Sequence, residues 1–143
     1  MPYSAFYKAK KGWRLALIIG IGTDIFKISR ISKKSVSAND PFLMRAYTER
    51  ERAEALLRHD AISYYGDRFA AKESVFKAIS SCGADFKPGE IEIICDELER
   101  PLVFLAGKTK ELFENMYGQN YRISISISYD TDYAVAFAIA EKQ

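Results

Sequence analysis

Ile123-Ser-Ile-Ser-Ile-Ser128, Tyr129-Asp-Thr-Asp132 and Tyr133-Ala-Val-Ala-Phe-Ala-Ile139 run consecutively near the C-terminus. The first and last of these alternate with strict period two, the side-chain repeat of a β-strand. Separated by a short polar turn, they predict an antiparallel hairpin. Toward the N-terminus, Lys108 to Tyr117 has helical spacing and is stopped by Gly118. Glu90 to Cys95 and Leu102 to Leu105, on either side of the polar run Asp96 to Pro101, predict a second hairpin. Asp67 to Ser81 reads as a strong helix that starts after a break at Gly66, with Asp67 as its cap. Thr48 and Glu51 have the spacing of a capping box ahead of Ala53, Leu56 and Leu57, and Asp40-Pro41 marks an earlier helix start. Residues 16–26 read as a buried strand. Strands and helices mix without a regular βαβ rhythm, so the predicted class is α+β.

Composition supports a single domain. The chain has 143 residues, 48% hydrophobic and 28% charged, enough to bury a core without staples. A net charge of +2 is too small for a protein that coats a polyanion, and no aromatic–basic stacking platform is present, which argues against nucleic acid as the partner. One His and two Cys are too few for a Cys/His zinc site, and a His-paired nucleophile has only His59 to draw on. Cys82 and Cys95 do not make a disulfide framework, which points to reduced thiols and a cytoplasmic setting. Lys8, Lys10, Lys11 and Arg14, ahead of the apolar run Leu15 to Gly22, imitate a signal peptide. The run, however, ends in Thr23-Asp24 with no small-residue cleavage site. No stretch approaches the roughly 20 apolar residues of a membrane span.

Three features break the local rule. Asp24 sits near the end of an apolar strand, where a carboxylate needs a cation or several donors; capping of the next turn and a metal or substrate role are both open. Glu73 falls on the aromatic arc of its helix with Phe69 and Phe76, and Lys77 lies one turn on, while Arg68 and Lys72 take the other flank. A Glu73–Lys77 surface pair is the plain alternative there. Ser124, Ser126 and Ser128 line one strand face, either solvated or a wall of hydroxyls beside an anionic ligand. Two carboxylates with lysine and arginine nearby suit phosphate chemistry. Carboxylate oxygens bind Mg²⁺, which keeps positions for phosphate, and the cations neutralise charge on phosphate oxygens.

Gly20-Ile-Gly-Thr-Asp24-Ile with Ile28-Ser-Arg30-Ile31 resembles the opening of the holo-acyl-carrier-protein synthases, the small phosphopantetheinyl transferases. Arg68-Phe-Ala-Ala-Lys-Glu73-Ser-Val-Phe-Lys77-Ala is similar to the second motif of that family, and this match is highly specific. Phe42-Leu-Met-Arg45 with Thr48 and Glu51 matches the segment between, and Ser126-Ile-Ser128 with Tyr133-Ala134 the closing hairpin. The resemblance implies an N-terminal extension over 1–15 and a transferase domain over 16–143, an antiparallel sheet packed on a long helix, and a homotrimer with active sites between subunits. It implies transfer of 4′-phosphopantetheine from coenzyme A to a serine of apo-acyl carrier protein, releasing adenosine 3′,5′-bisphosphate. Asp24 and Glu73 would hold Mg²⁺ on the diphosphate. Lys77 would assist at the transferring phosphate, and Glu73 would orient a water acting as base. Arg68, Lys72, Ser128 and Tyr129 would contact coenzyme A, and Arg30, Phe42 and Arg45 would dock the acidic carrier helix.

The resemblance has two departures. Tyr129 stands where the family usually has His, and phenol titrates near 10 against about 6.5 for imidazole, so it serves as a neutral donor and not as a base. Ser80-Ser-Cys82-Gly83 replaces a more glycine-rich turn. Tyr129 therefore leaves open a second reading, a homologue that binds coenzyme A or a carrier without efficient transfer.

Overall fold

The computed structural model describes residues 15–31 and 40–143. The basic stretch Lys8 to Arg14 and most of the polar break before Asp40 lie outside the described residues. Nine main elements follow in the order β1 (Leu17–Lys27), α1 (Pro41–Ala46), α2 (Glu49–Leu56), α3 (Ala61–Ile79), β2 (Ile91–Cys95), β3 (Pro101–Leu105), α4 (Gly107–Tyr117), β4 (Tyr121–Tyr129) and β5 (Tyr133–Lys142). β1, β5 and β4 form one antiparallel sheet in that order, and β2 and β3 form a separate hairpin. The long helix α3 packs across β1 and β5 and touches β2 on its other flank. The fold is α+β, an antiparallel sheet on a long helix.

Local signals with a complete chemical reason hold. Asp40 accepts from the backbone N–H of Phe42 and Leu43 with Pro41 in the first turn. Thr48 and Glu51 make both halves of the capping box. Gly118, at φ 81°, ends α4 in a conformation that favours glycine.

The start of α3 differs from the sequence reading. The helix begins at Ala61, with Asp60 accepting from Ser63 N–H, and runs unbroken through Gly66 and Asp67 to Ile79. Gly66 is a contact and not a break: a Cβ there would press on Ile28 at 3.2 Å. β1 is also not buried on both faces, because Ile21 and Ile25 are 60% and 64% exposed.

The sheet presents its small residues to α3. Ala134, Ala136, Ala138 and Ala140 are fully buried, while Val135 and Phe137 point outward. Gly20 and Gly22 pair with Ala140 and Ala138 and extend this row into β1. A Cβ on Gly20 would run into the carbonyl of Ala78, and one on Gly22 into that of Ser74. The helix backbone therefore lies directly on the strand. Gly22→Ala is expected to cost about 2–3 kcal/mol and lower Tm by roughly 5–10 °C in a thermal melt. It should also widen the gap across which α3 and β1 face each other.

Candidate functional site

The close approach of α3 to β1 brings their polar side chains together. Asp24 follows Gly20 and Gly22 on the inward-facing register of β1, paired with Ala136. Its side chain is only 10% exposed. Glu73 comes from the α3 turn that meets this strand, and its carboxyl neighbours that of Asp24. Burial first, then hydrogen bonding with Asp24 and the negative charge of Asp24, push the Glu73 carboxyl above the usual carboxylate range; Lys77 and Arg30 partly oppose this. Lys77 Nζ donates to Thr23 O at 2.8 Å and to Asp24 Oδ1 at 3.1 Å, so Lys77 is held against the strand and does not form the simple helix-surface pair with Glu73.

Two half-buried carboxyls beside one partly exposed ammonium make a site that lacks positive charge. Among the described residues, no third His, Cys, Asp or Glu joins them to complete a protein-only metal cage. That donor set fits Mg²⁺, which is commonly held by one or two carboxylates while water and substrate phosphates fill its other positions.

An apolar and basic surface flanks this pair. The Arg30 guanidinium stacks over Phe26 at 4.8 Å, Phe26 packs on Phe69 at 5.0 Å, and Phe69 meets Phe42 at 5.9 Å. Phe42 is 37% exposed and Arg45 is exposed on the same helix, α1. Arg30 and Phe42 thus share one patch, and Arg30 is near enough to bias Glu73.

The other flank of α3 corrects one expectation. Lys72 is not a free phosphate contact: it is fully buried, and its three N–H groups go to Glu51 Oε2 at 2.8 Å, Pro88 O at 2.8 Å and Ile91 O at 2.5 Å. Burial pulls the Lys72 pKa down and Glu51 opposes it. Arg68 is also mostly committed. Its Nε donates to Ile93 O at 3.1 Å, Nη2 reaches Cys95 Sγ at 3.2 Å, and its guanidinium stacks over Tyr64 at 4.5 Å.

Arg68 nevertheless forms part of the wall of a cavity of about 610 Å³, together with Tyr129, Ser126, Arg58, His59 and Asp67. Ser128 is exposed on β4 and does not line it. The lone histidine therefore shares a cavity with Tyr129, although they lie far apart in sequence. Asp67, a helix cap by its sequence position, lies inside α3 and lines this cavity. Its Oδ1 is buried without a partner, and burial pushes the carboxyl up to about 6, against the pull of Arg68.

The native protein thus holds the Asp67 proton more tightly than the unfolded chain does. Stability should fall as pH rises from about 4 through about 6. Asp67→Asn is expected to flatten that slope and raise stability at pH 7 by about 1 kcal/mol, discounted for the solvent that reaches part of the side chain. Denaturant midpoints measured at pH 4.5 and 7 check this.

The carboxylate pair and the cavity use different flanks of α3, and none of Asp24, Glu73 and Lys77 lines the cavity. Among the described residues, no helix is long and apolar enough to cross a membrane. Cys82 and Cys95 are free thiols.

Comparison with known proteins identifies the family. The family model described as 4′-phosphopantetheinyl transferase superfamily matches residues 20–138. A holo-[acyl-carrier-protein] synthase of Clostridium botulinum (strain Alaska E43 / Type E3) is 42% identical over 125 residues, covering 87% of this chain and 98% of its own. The crystal structure of a holo-ACP-synthase from Plasmodium yoelii superposes with a TM-score of 0.74 at 32% identity, covering 91% of this chain and 99% of the other. A holo-(acyl-carrier-protein) synthase from Bacillus anthracis str. Ames, in complex with CoA (3′,5′-ADP), superposes with a TM-score of 0.67 at 28% identity, covering 88% and 98%.

Proposed function

Since the chain belongs to the holo-[acyl-carrier-protein] synthases of the 4′-phosphopantetheinyl transferase superfamily, we propose that it moves 4′-phosphopantetheine from coenzyme A to a serine of an apo-acyl carrier protein. The products are the holo-carrier and adenosine 3′,5′-bisphosphate. The observation that carries this reading is the neighbouring carboxyls of Asp24 and Glu73 with Lys77 Nζ 3.1 Å from Asp24. Phosphoryl transfer requires little covalent work of a protein. It requires that substrate be positioned and that charge on phosphate oxygens be neutralised.

Asp24 and Glu73 would hold Mg²⁺, which when bound supplies positive charge on the coenzyme A diphosphate. Lys77, fixed by Thr23 O and Asp24, points its ammonium at the same place and stabilises the oxygen on which the leaving bisphosphate gathers charge. Glu73, whose proton affinity is raised, orients a water that takes the proton of the carrier serine as the serine oxygen–phosphorus bond forms and the diphosphate bond breaks. Arg30, Phe42 and Arg45 receive the acidic carrier helix, with charge pairing to speed encounter and aromatic rings to hold it. Arg68 and Tyr129 bind the coenzyme from their cavity, and Ser128, next to Tyr129 on β4, contacts it from outside that cavity.

The separation of the two flanks within one chain favours a site completed by a neighbour, in a homotrimer. The outer sheet face supports a second copy as the occupant: Ile21, Ile25, Val135 and Phe137 are 60%, 64%, 42% and 42% exposed there. Residues 16–143 form the transferase domain, acting in the cytoplasm, and residues 1–15 precede it as an extension.

The test combines the protein, coenzyme A, Mg²⁺ and an apo-carrier, and weighs the carrier intact. Gain of one phosphopantetheine per carrier, with adenosine 3′,5′-bisphosphate released, is the expected result. An unchanged carrier mass with coenzyme A bound favours the second reading, in which Tyr129 leaves a binding protein of low turnover. Light scattering of the native protein at a trimer mass tests the assembly.

A further inference from the structure

Asp67 lines the cavity between α3 and β4 and carries a buried oxygen whose hydrogen-bonding capacity is unspent. Among the described residues, Asp67 Oδ1 is a buried polar side-chain atom that accepts nothing. Leaving such an acceptor unpaired costs stability, and native structures seldom do so without a use. The walls around it are mixed. Ile125, Ile127 and Pro101 give an apolar side, and Arg58 and Arg68 bring positive charge. At about 610 Å³ the cavity is far larger than a phosphate needs and falls within the range of small-molecule pockets.

This rests on the reading that coenzyme A is the donor substrate. The reacting diphosphate belongs with Asp24, Glu73 and Lys77. The part of coenzyme A that still offers a phosphate, a flat apolar ring and an N–H donor is its nucleoside end, which carries a 3′-phosphate and an adenine. Arg58 and Arg68 suit the phosphate, and the Ile125–Ile127–Pro101 side suits the ring face. The carboxyl of Asp67 turns readily about its last torsion to present either oxygen to an occupant. We propose that Asp67 is a specificity-determining residue, accepting a hydrogen bond from the exocyclic amine of the adenine ring.

A carboxylate in that position favours an amine and repels a carbonyl. Coenzyme A and its hypoxanthine counterpart, in which an oxo group replaces the 6-amine, differ at that point. Titration calorimetry of the full chain with each coenzyme is the experiment, on wild type, Asp67→Ala and Asp67→Asn. Wild type is expected to prefer coenzyme A by roughly 10- to 100-fold, since a group built to take a hydrogen bond discriminates strongly when it faces the wrong partner. Asp67→Ala loses the preference. Asp67→Asn, whose amide N–H can donate to the oxo group, shifts it toward the hypoxanthine coenzyme. The same-sized Asn variant keeps the test decisive if the Ala variant does not fold, and melting without ligand checks both. A ratio in Asp67→Asn equal to that of wild type overturns the assignment while leaving coenzyme A as substrate. Wild type that binds neither coenzyme overturns the assignment and the reading beneath it.

Discussion

Glu73→Ala and Asp24→Ala are each expected to lower phosphopantetheine transfer by at least about 10³-fold, measured as holo-carrier formed per minute by intact mass. The stability of Glu73→Ala should move the other way. Glu73 is half-buried next to Asp24, and both burial and that neighbour disfavour its charged form. Removing it relieves repulsion, so Tm holds or rises while turnover is lost. That opposition marks a side chain kept for function at a cost in stability. The sign of the pH effect follows from the same shift. Folded Glu73 binds its proton more tightly than the unfolded chain does, so its contribution to stability falls as pH rises from the ordinary Glu value through the raised one. Transfer runs oppositely, because the carboxylate is the working form, and its acid limb should lie above the ordinary Glu range. Chelation of divalent cations should stop transfer in wild type. Wild-type rates in Glu73→Ala or Asp24→Ala would sink the assignment of the pair.

Why these carboxyls meet was only partly readable beforehand. The helical wheel put Glu73 among phenylalanines, and Asp24 broke an apolar strand, but neither fact says that two elements touch. The contact is made by Gly20 and Gly22, which let the carbonyls of Ala78 and Ser74 come down onto β1. Glycines signal that something approaches closely, not what approaches. Hairpins and caps were legible because their causes lie within a few residues: alternation at Ile123 to Ile139, Asp40 before Pro41, and Thr48 with Glu51. The helix start at Ala61 was hidden because Gly66 looks like a break from sequence, and its reason, the nearness of Ile28, is tertiary. Periodicity also gives the face of a residue and not its depth. Arg68 and Lys72 share the flank of α3 that meets β2, and only the packing shows that Lys72 ends in the core. The same limit hid the meeting of His59, Asp67 and Tyr129 in one cavity.

Lys72 carries the second large prediction. Its ammonium and the Glu51 carboxylate are both fully buried and 2.8 Å apart. Glu51 also accepts from the backbone N–H of Thr48 at 2.8 Å and of Ile93 at 2.8 Å, so one side chain ties α2 to its own cap, to α3 and to β2. Lys72→Ala leaves that charge in the core without its cation and leaves the Pro88 and Ile91 carbonyls without their donor. The expected loss is about 3–5 kcal/mol, a large part of the roughly 5–15 kcal/mol that a domain holds in total. Urea unfolding at neutral pH measures it. The double variant Glu51→Gln with Lys72→Met removes both charges and keeps similar volumes, and it should recover most of the loss, giving a coupling well outside additivity. Such recovery is what a core pair predicts and a phosphate contact does not. At a temperature where the double variant is folded, its affinity for coenzyme A should match that of wild type, because Lys72 presents no N–H to solvent. A tenfold loss of affinity with stability intact would return Lys72 to the phosphate.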